Sequence, residues 1–227
     1  WRALSAKETG SSAPVIIQAG SLRQLIIWQS DAVNSLDPEP GKLYWSQPLQ
    51  PDWAMSIATP RSDGTFLFVG AVVMKSMLLK LAADRPAADI VWYGKKGVGI
   101  APTTSTPFLE NGYLYGVDRE GELRCVKLAT GEQLWTTYAA TTTGDRTDNA
   151  TAFLVKQADR FFIFNEKGEL VIARLAPTGY HELSRAKIIE PTVTSYGRSV
   201  VWSHPAFAQR CIFARNDREL VCAALAQ

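Results

Sequence analysis

Apolar residues in this chain fall in short runs separated by turn residues, and the runs are too short for ordinary helices. Apolar spacing at i, i+3, i+4 and i+7, which marks an amphipathic helix, is not sustained anywhere. The stretch from Ser105 to Trp135 carries the pattern most cleanly. Pro107 opens a short strand and Asn111-Gly112 turns the chain. Tyr113 to Val117 alternates as a strand does, with side chains sent to opposite faces. Asp118 to Gly121 turns again, glycine supplying a positive φ at no steric cost. Leu123 to Leu128 is a third strand, Thr130-Gly131 a further turn, and Gln133 to Thr137 a fourth strand. Four short antiparallel strands per unit is the signature of a propeller blade.

The unit recurs. Trp1, Trp45, Trp92 and Trp135 each end such a run, at intervals of 44, 47 and 43 residues. A period in this range marks stacked supersecondary units. Pro14, Pro60, Pro107 and Pro205 open first strands, and Ala152 stands in the fourth copy's place. Phe161 to Ala173 and Cys211 to Cys222 copy the central hairpin, while the second copy carries an insertion after Gly70. The chain is therefore expected to be an all-β propeller of four-stranded antiparallel blades. About four and a half to five blades are expected, as part of a larger seven- or eight-bladed ring. The expected blades are 12–45, 57–92, 103–137, 150–185 and 200–227, with residues 1–4 as a closing strand. Trp45, Trp92 and Trp135 are expected to fill the gaps between neighbouring sheets, delivered by tight turns at Gly131 and Gly179. Trp1 fits either an interrupted blade or a ring closure beside Leu220 and Cys222.

Composition narrows the class. Hydrophobic residues make up 46% and charged residues 20%, which is globular rather than disordered. The formal charge of +2 is spread without basic runs, which argues against a nucleic-acid surface. Phe66 to Ala83 is apolar enough to suggest a membrane span, but Lys75 and Lys80 interrupt it and a hairpin is expected there, so no transmembrane segment is expected. Cys125, Cys211 and Cys222 fit no metal-ligand spacing. A two-residue turn centred on Asn216 and Asp217 would set Cys211 opposite Cys222, within reach of a disulfide; two buried thiols is the alternative.

The blades resemble the pyrroloquinoline-quinone (PQQ) repeat, whose tryptophan-docking pattern is Ala-x-Asp-x-x-Thr-Gly-x-x-x-Trp. Here it reads Cys125-x-Lys127-x-x-Thr130-Gly131-x-x-x-Trp135 and Ser35-x-Asp37-x-x-Pro40-Gly41-x-x-x-Trp45. The second copy reads Ala82-x-Asp84-x-x-Ala87-Ala88-x-x-x-Trp92, and the fourth ends Thr178-Gly179-x-x-x-Leu183, its tryptophan lost. The resemblance covers essentially the whole chain and is specific for blade type, not for activity. It implies one of two functions. Quinoprotein dehydrogenases hold PQQ and Ca²⁺ over the propeller axis with adjacent cysteines and an acidic site; this chain has neither adjacent cysteines nor an acidic cluster of Ca²⁺-ligand character. The other members are non-catalytic propellers of the bacterial envelope, including a lipoprotein of outer-membrane protein assembly. A non-catalytic, periplasmic or secreted scaffold for a protein or glycan partner is therefore expected, with no cofactor and with self-association if the ring is open. A fragment of a PQQ-dependent dehydrogenase and an outer-membrane assembly-type propeller lipoprotein are the alternatives.

No nucleophile elbow, phosphate loop or histidine-based triad is present. His204 precedes Pro205 at the start of an innermost strand, where it could donate a proton or bind a metal; a rim histidine bonded to a loop carbonyl is the plainer reading. Arg146, Asp148 and Asn149 lie in a polar segment joining two blades, and could pair an anion or a cation; a solvated connector is the plainer reading. Arg61, Thr103 and Thr104 occupy equivalent places in earlier copies. Together these seven residues form the expected axial binding surface.

Overall fold

A computed structural model describes residues 1–225, so Ala226 and Gln227 of the expected last blade lie outside the described residues. Every sheet is antiparallel between sequence neighbours. The first comprises β1 (Val15–Ala19), β2 (Leu22–Trp28), β3 (Ala32–Leu36) and β4 (Leu43–Pro48). The second comprises β5 (Arg61–Ser62), β6 (Phe66–Ala71), β7 (Lys75–Leu81) and β8 (Ala88–Tyr93). The third comprises β9 (Phe108–Glu110), β10 (Tyr113–Val117), β11 (Leu123–Lys127) and β12 (Gln133–Thr137). The fourth comprises β13 (Ala152–Gln157), β14 (Arg160–Asn165), β15 (Glu169–Ala176) and β16 (Gly179–Lys187). A separate hairpin of β17 (Val193–Ser195) and β18 (Arg198–Val200) precedes a three-stranded sheet of β19 (Ala206–Ala208), β20 (Cys211–Arg215) and β21 (Leu220–Ala224). Residues 1–4 form no strand, and no strand pairing among the described residues closes a ring.

The core lies between sheets rather than within one. Strand alternation sends neighbours to opposite faces, so Leu114 joins Phe68, Leu78 and Trp92 on one side of the third sheet. Tyr115 on the next position joins Phe161 and Ile163 on the other side. Ile26, Leu67 and Met77 fill the gap between the first and second sheets. Phe164, Ile189 and Ile212 fill the gap between the fourth and the last. Four such layers join five sheets, which is blade-on-blade packing.

Each of the four complete blades carries a β-bulge between its third and fourth strands. In the first three the bulge brings Ser35 opposite Trp45, Leu78 opposite Trp92 and Cys125 opposite Trp135. In the fourth, Ile172 faces Ser184. The lost tryptophan is therefore replaced by Ser184, not by Leu183, which is the residue left over in the bulge. The cause is the preceding turn. Ala176 pairs directly with Gly179, so only Pro177 and Thr178 turn the chain and the ladder runs on past the point where the other copies break. Gly179 accordingly lies in the ladder at the tip of this longer hairpin, and a Cβ placed on it would meet nothing within 4 Å, so it docks no tryptophan. The second copy is also corrected. Its extra length lies in a longer β7–β8 ladder reaching Leu81 and Ala88, not after Gly70.

The last hairpin turns on four residues, with Arg215 facing Leu220. Asn216 Oδ1 accepts from the backbone N–H groups of Arg218 (2.8 Å) and Glu219 (2.9 Å), which stabilises the wider turn. Cys211 therefore faces Ala224 and Cys222 faces Phe213, and the two thiols meet diagonally rather than head-on. Both are free, as is the buried Cys125.

Candidate docking face

The turns between second and third strands and the connectors between blades share one face, and polar side chains knit them together. Glu166, in the β14–β15 turn, is almost fully buried. Its carboxylate accepts from Arg198 Nε (2.7 Å) and Nη2 (3.0 Å) and from the Trp202 indole (2.9 Å), fastening the last connector to the fourth blade. Asp118, in the β10–β11 turn, accepts from the Ala101 N–H (2.8 Å) and from Arg124 (2.6 Å). Burial pushes the Asp118 carboxyl above its ordinary range, with Arg124 opposing the shift. Arg124 also pairs Glu122 at 2.6 Å, and Arg146 pairs Glu120.

The same face carries several exposed apolar groups and two strained turns, although Ala158, Gln209 and Arg210 also take positive φ in turns of the opposite face. Val73 (φ 58°) and Met74 (φ 56°) are the central residues of the β6–β7 turn, closed by the Lys75 N–H on the Val72 carbonyl. Two consecutive positive φ values define a type I′ turn, which favours Asn-Gly; a β-branched residue there is strained. In the adjoining connector, Trp53 (φ 55°) and Ala54 (φ 55°) are held the same way. Trp53 is 75% exposed, Met74 51% and Tyr93 48%. A cleft of about 590 Å³ lies beside Trp53, and clefts of about 410 and 620 Å³ flank the Val73–Met74 turn on its two sides.

Thr104 donates to or accepts from Thr151 (3.0 Å), and the Thr59 N–H donates to Thr106 (3.1 Å), so hydroxyls link successive blades near their first strands. The Thr103 hydroxyl is buried without a hydrogen-bond partner among the described residues. Arg61 is exposed, and desolvation by the surrounding protein lowers its pKa. His204 stacks on Phe153, ring centroids 3.8 Å apart, rather than bonding a carbonyl, and burial lowers its pKa although solvent still reaches it. Arg146 is committed to Glu120, while Asp148 and Asn149 make no side-chain hydrogen bond among the described residues. The Val73–Met74 tip was not legible as a site because neither residue is a turn former. The only sequence signal was an apolar pair between two strands.

Four acidic groups of this face, Asp118, Glu120, Glu122 and Glu166, are each bonded to an arginine, and no three His, Cys, Asp or Glu side chains converge among the described residues.

Two of the repeat tryptophans bond across blades and one bonds within its own. The Trp92 indole donates to the Leu128 carbonyl (2.8 Å) and Trp135 to the Ala176 carbonyl (2.7 Å), each in the following blade. Trp45 donates instead to Gln24 Oε1 (2.9 Å) in its own blade. Trp1 lies against Gly41 of the first blade, where a Cβ would come within 2.3 Å of its ring.

These features define a β-propeller of the PQQ-repeat type. The chain belongs to the family described as outer membrane protein assembly factor BamB, whose model matches residues 1–227. Among solved structures it is similar to BamB from Moraxella catarrhalis, with a TM-score of 0.64 and 14% identity over 98% of this chain. The Saccharomyces cerevisiae protein Sqt1 aligns with a TM-score of 0.62 and 13% identity over 88% of this chain. The chain spans 59% of the length of the first and 56% of the second. No curated relative matches the chain by sequence.

Proposed function

We propose that the chain is a non-catalytic scaffold in outer-membrane protein assembly, working in the bacterial envelope outside the cytoplasm and docking a protein partner on its connector face. One observation carries the reading: strained turns, exposed apolar tips and open clefts coincide on that face. Strain of this kind costs stability and persists where the surrounding structure and function require it. Family membership supports the choice of process. A protein is favoured over a glycan because the exposed tips include an aliphatic side chain, Met74, set among ionic groups, which suits a protein hot spot. The dehydrogenase alternative is less favoured because Asp118, Glu120, Glu122 and Glu166 are each paired with an arginine and His204 has no hydrogen-bonded acid or nucleophile among the described residues. Co-purification tests the proposal. The chain should associate with the outer-membrane protein assembly machinery of its own envelope, and substitutions at Trp53 and Met74 should reduce that association. Failure of the intact chain to associate would overturn the proposal.

A further inference from the structure

The cleft of about 620 Å³ beside the β6–β7 turn has an uneven balance of charge. Its three acids share two arginines, Asp118 and Glu122 on Arg124 and Glu120 on Arg146, which leaves one negative charge uncompensated. Lys95, Lys96 and Arg119 also line it, and no carboxylate among the described residues pairs with them. Its apolar wall is the strained pair Val73 and Met74, with Tyr93 across the same turn in the neighbouring cleft. A thioether on a flexible chain adapts to varied apolar partners. Three cations with no carboxylate partner among the described residues, two of them the exposed Lys95 and Lys96, leave the cleft net positive beside one apolar anchor point, which matches a ligand of opposite charge that carries a single apolar residue.

We infer that this groove binds an extended acidic segment of a partner polypeptide. Its carboxylates pair Lys95, Lys96 and Arg119, and one apolar side chain packs on Met74. An anionic membrane surface offers charge of the same sign, but a flat surface cannot enter a cleft whose floor holds Asp118 and Glu122. The inference deepens the docking proposal by giving the chemistry of what is docked, and it rests on that reading for its biological setting.

The test is fluorescence anisotropy on the intact chain with a dye-labelled peptide of Glu and Gly around one Leu. Counterparts replace each Glu by Gln or by Lys. The acidic peptide should bind at least about tenfold more tightly than the Gln form, weaken with salt, and lose about tenfold or more on Lys95→Glu with Lys96→Glu. Val73→Asn with Met74→Gly should weaken binding while raising the melting temperature, since Asn-Gly is what the turn geometry favours. That pair of effects also excludes misfolding as the cause of lost binding. Equal affinity for the acidic, neutral and basic peptides would overturn the inference. So would unchanged binding in the double lysine variant, or binding to phosphatidylglycerol vesicles in place of the peptide. Failure here is distinguishable from failure of the docking proposal, because peptide binding reports this groove alone and co-purification reports any part of the face.

Discussion

The indole N–H of Trp92 donates to the backbone carbonyl of Leu128 at 2.8 Å, tying the second blade to the third. The ring lies over Gly131, where a Cβ would approach its Cδ2 to 3.1 Å and Val98 Cγ1 to 2.5 Å. Trp92→Ala should lower unfolding free energy by about 3–5 kcal/mol, as large-to-small core changes do. Gly131→Ala should cost about 1–3 kcal/mol from its positive φ alone and more from the clash. Gly112→Ala is the comparison, with the same sign of φ but open space around it. Urea unfolding checks both. Equal losses at Gly131 and Gly112 would remove the packing account.

Glu166 is the buried acceptor that binds the last connector to the fourth blade. Glu166→Ala leaves Arg198 without its partner and should cost about 3–5 kcal/mol, as breaking a buried ion pair does. Hydrogen exchange should show the connector around Val201 opening first, because the Val201 N–H bonds the Glu166 carbonyl. Unchanged exchange there would contradict the clamp.

His204 gives a pH dependence of known sign. Its folded pKa lies below the ordinary value of 6.5 because burial disfavours the charged ring. In the window beneath 6.5 the unfolded chain therefore binds more protons, and stability falls as pH falls through it. His204→Gln should flatten the melting-temperature profile over that window. A parent profile no steeper than the variant's would count against the stacked, neutral ring.

The three thiols should differ in reactivity. Cys125 is buried and burial pushes its pKa up to about 11, whereas Cys222 is exposed. Iodoacetamide on the native protein should modify Cys222 and Cys211 and spare Cys125, read by mass spectrometry of the digested chain. Early modification of Cys125 would contradict its burial.

The blade grammar was legible in sequence because turns are local. Asn111-Gly112 and Thr130-Gly131 announce themselves, and the alternation between them follows from the pleat. Register was less legible. Whether Leu183 or Ser184 occupies the tryptophan site depends on a two-residue turn at Pro177-Thr178 and on where the bulge falls, neither of which spacing alone reveals. The same holds for Cys211 and Cys222, separated by a turn that Asn216 widens to four residues. The docking face was least legible. It is assembled from connectors and turns far apart in sequence, and its central tip, Val73-Met74, takes a conformation that its residue types disfavour.

Site-specific photo-crosslinking tests the central claim, docking through the connector face, most directly. A crosslinker at Met74 sits on that face, and one at Ala158, in the turn between β13 and β14, sits on the opposite one. With purified outer-membrane protein assembly machinery, Met74 should give an adduct and Ala158 none. An adduct from Ala158 with none from Met74 would contradict the account.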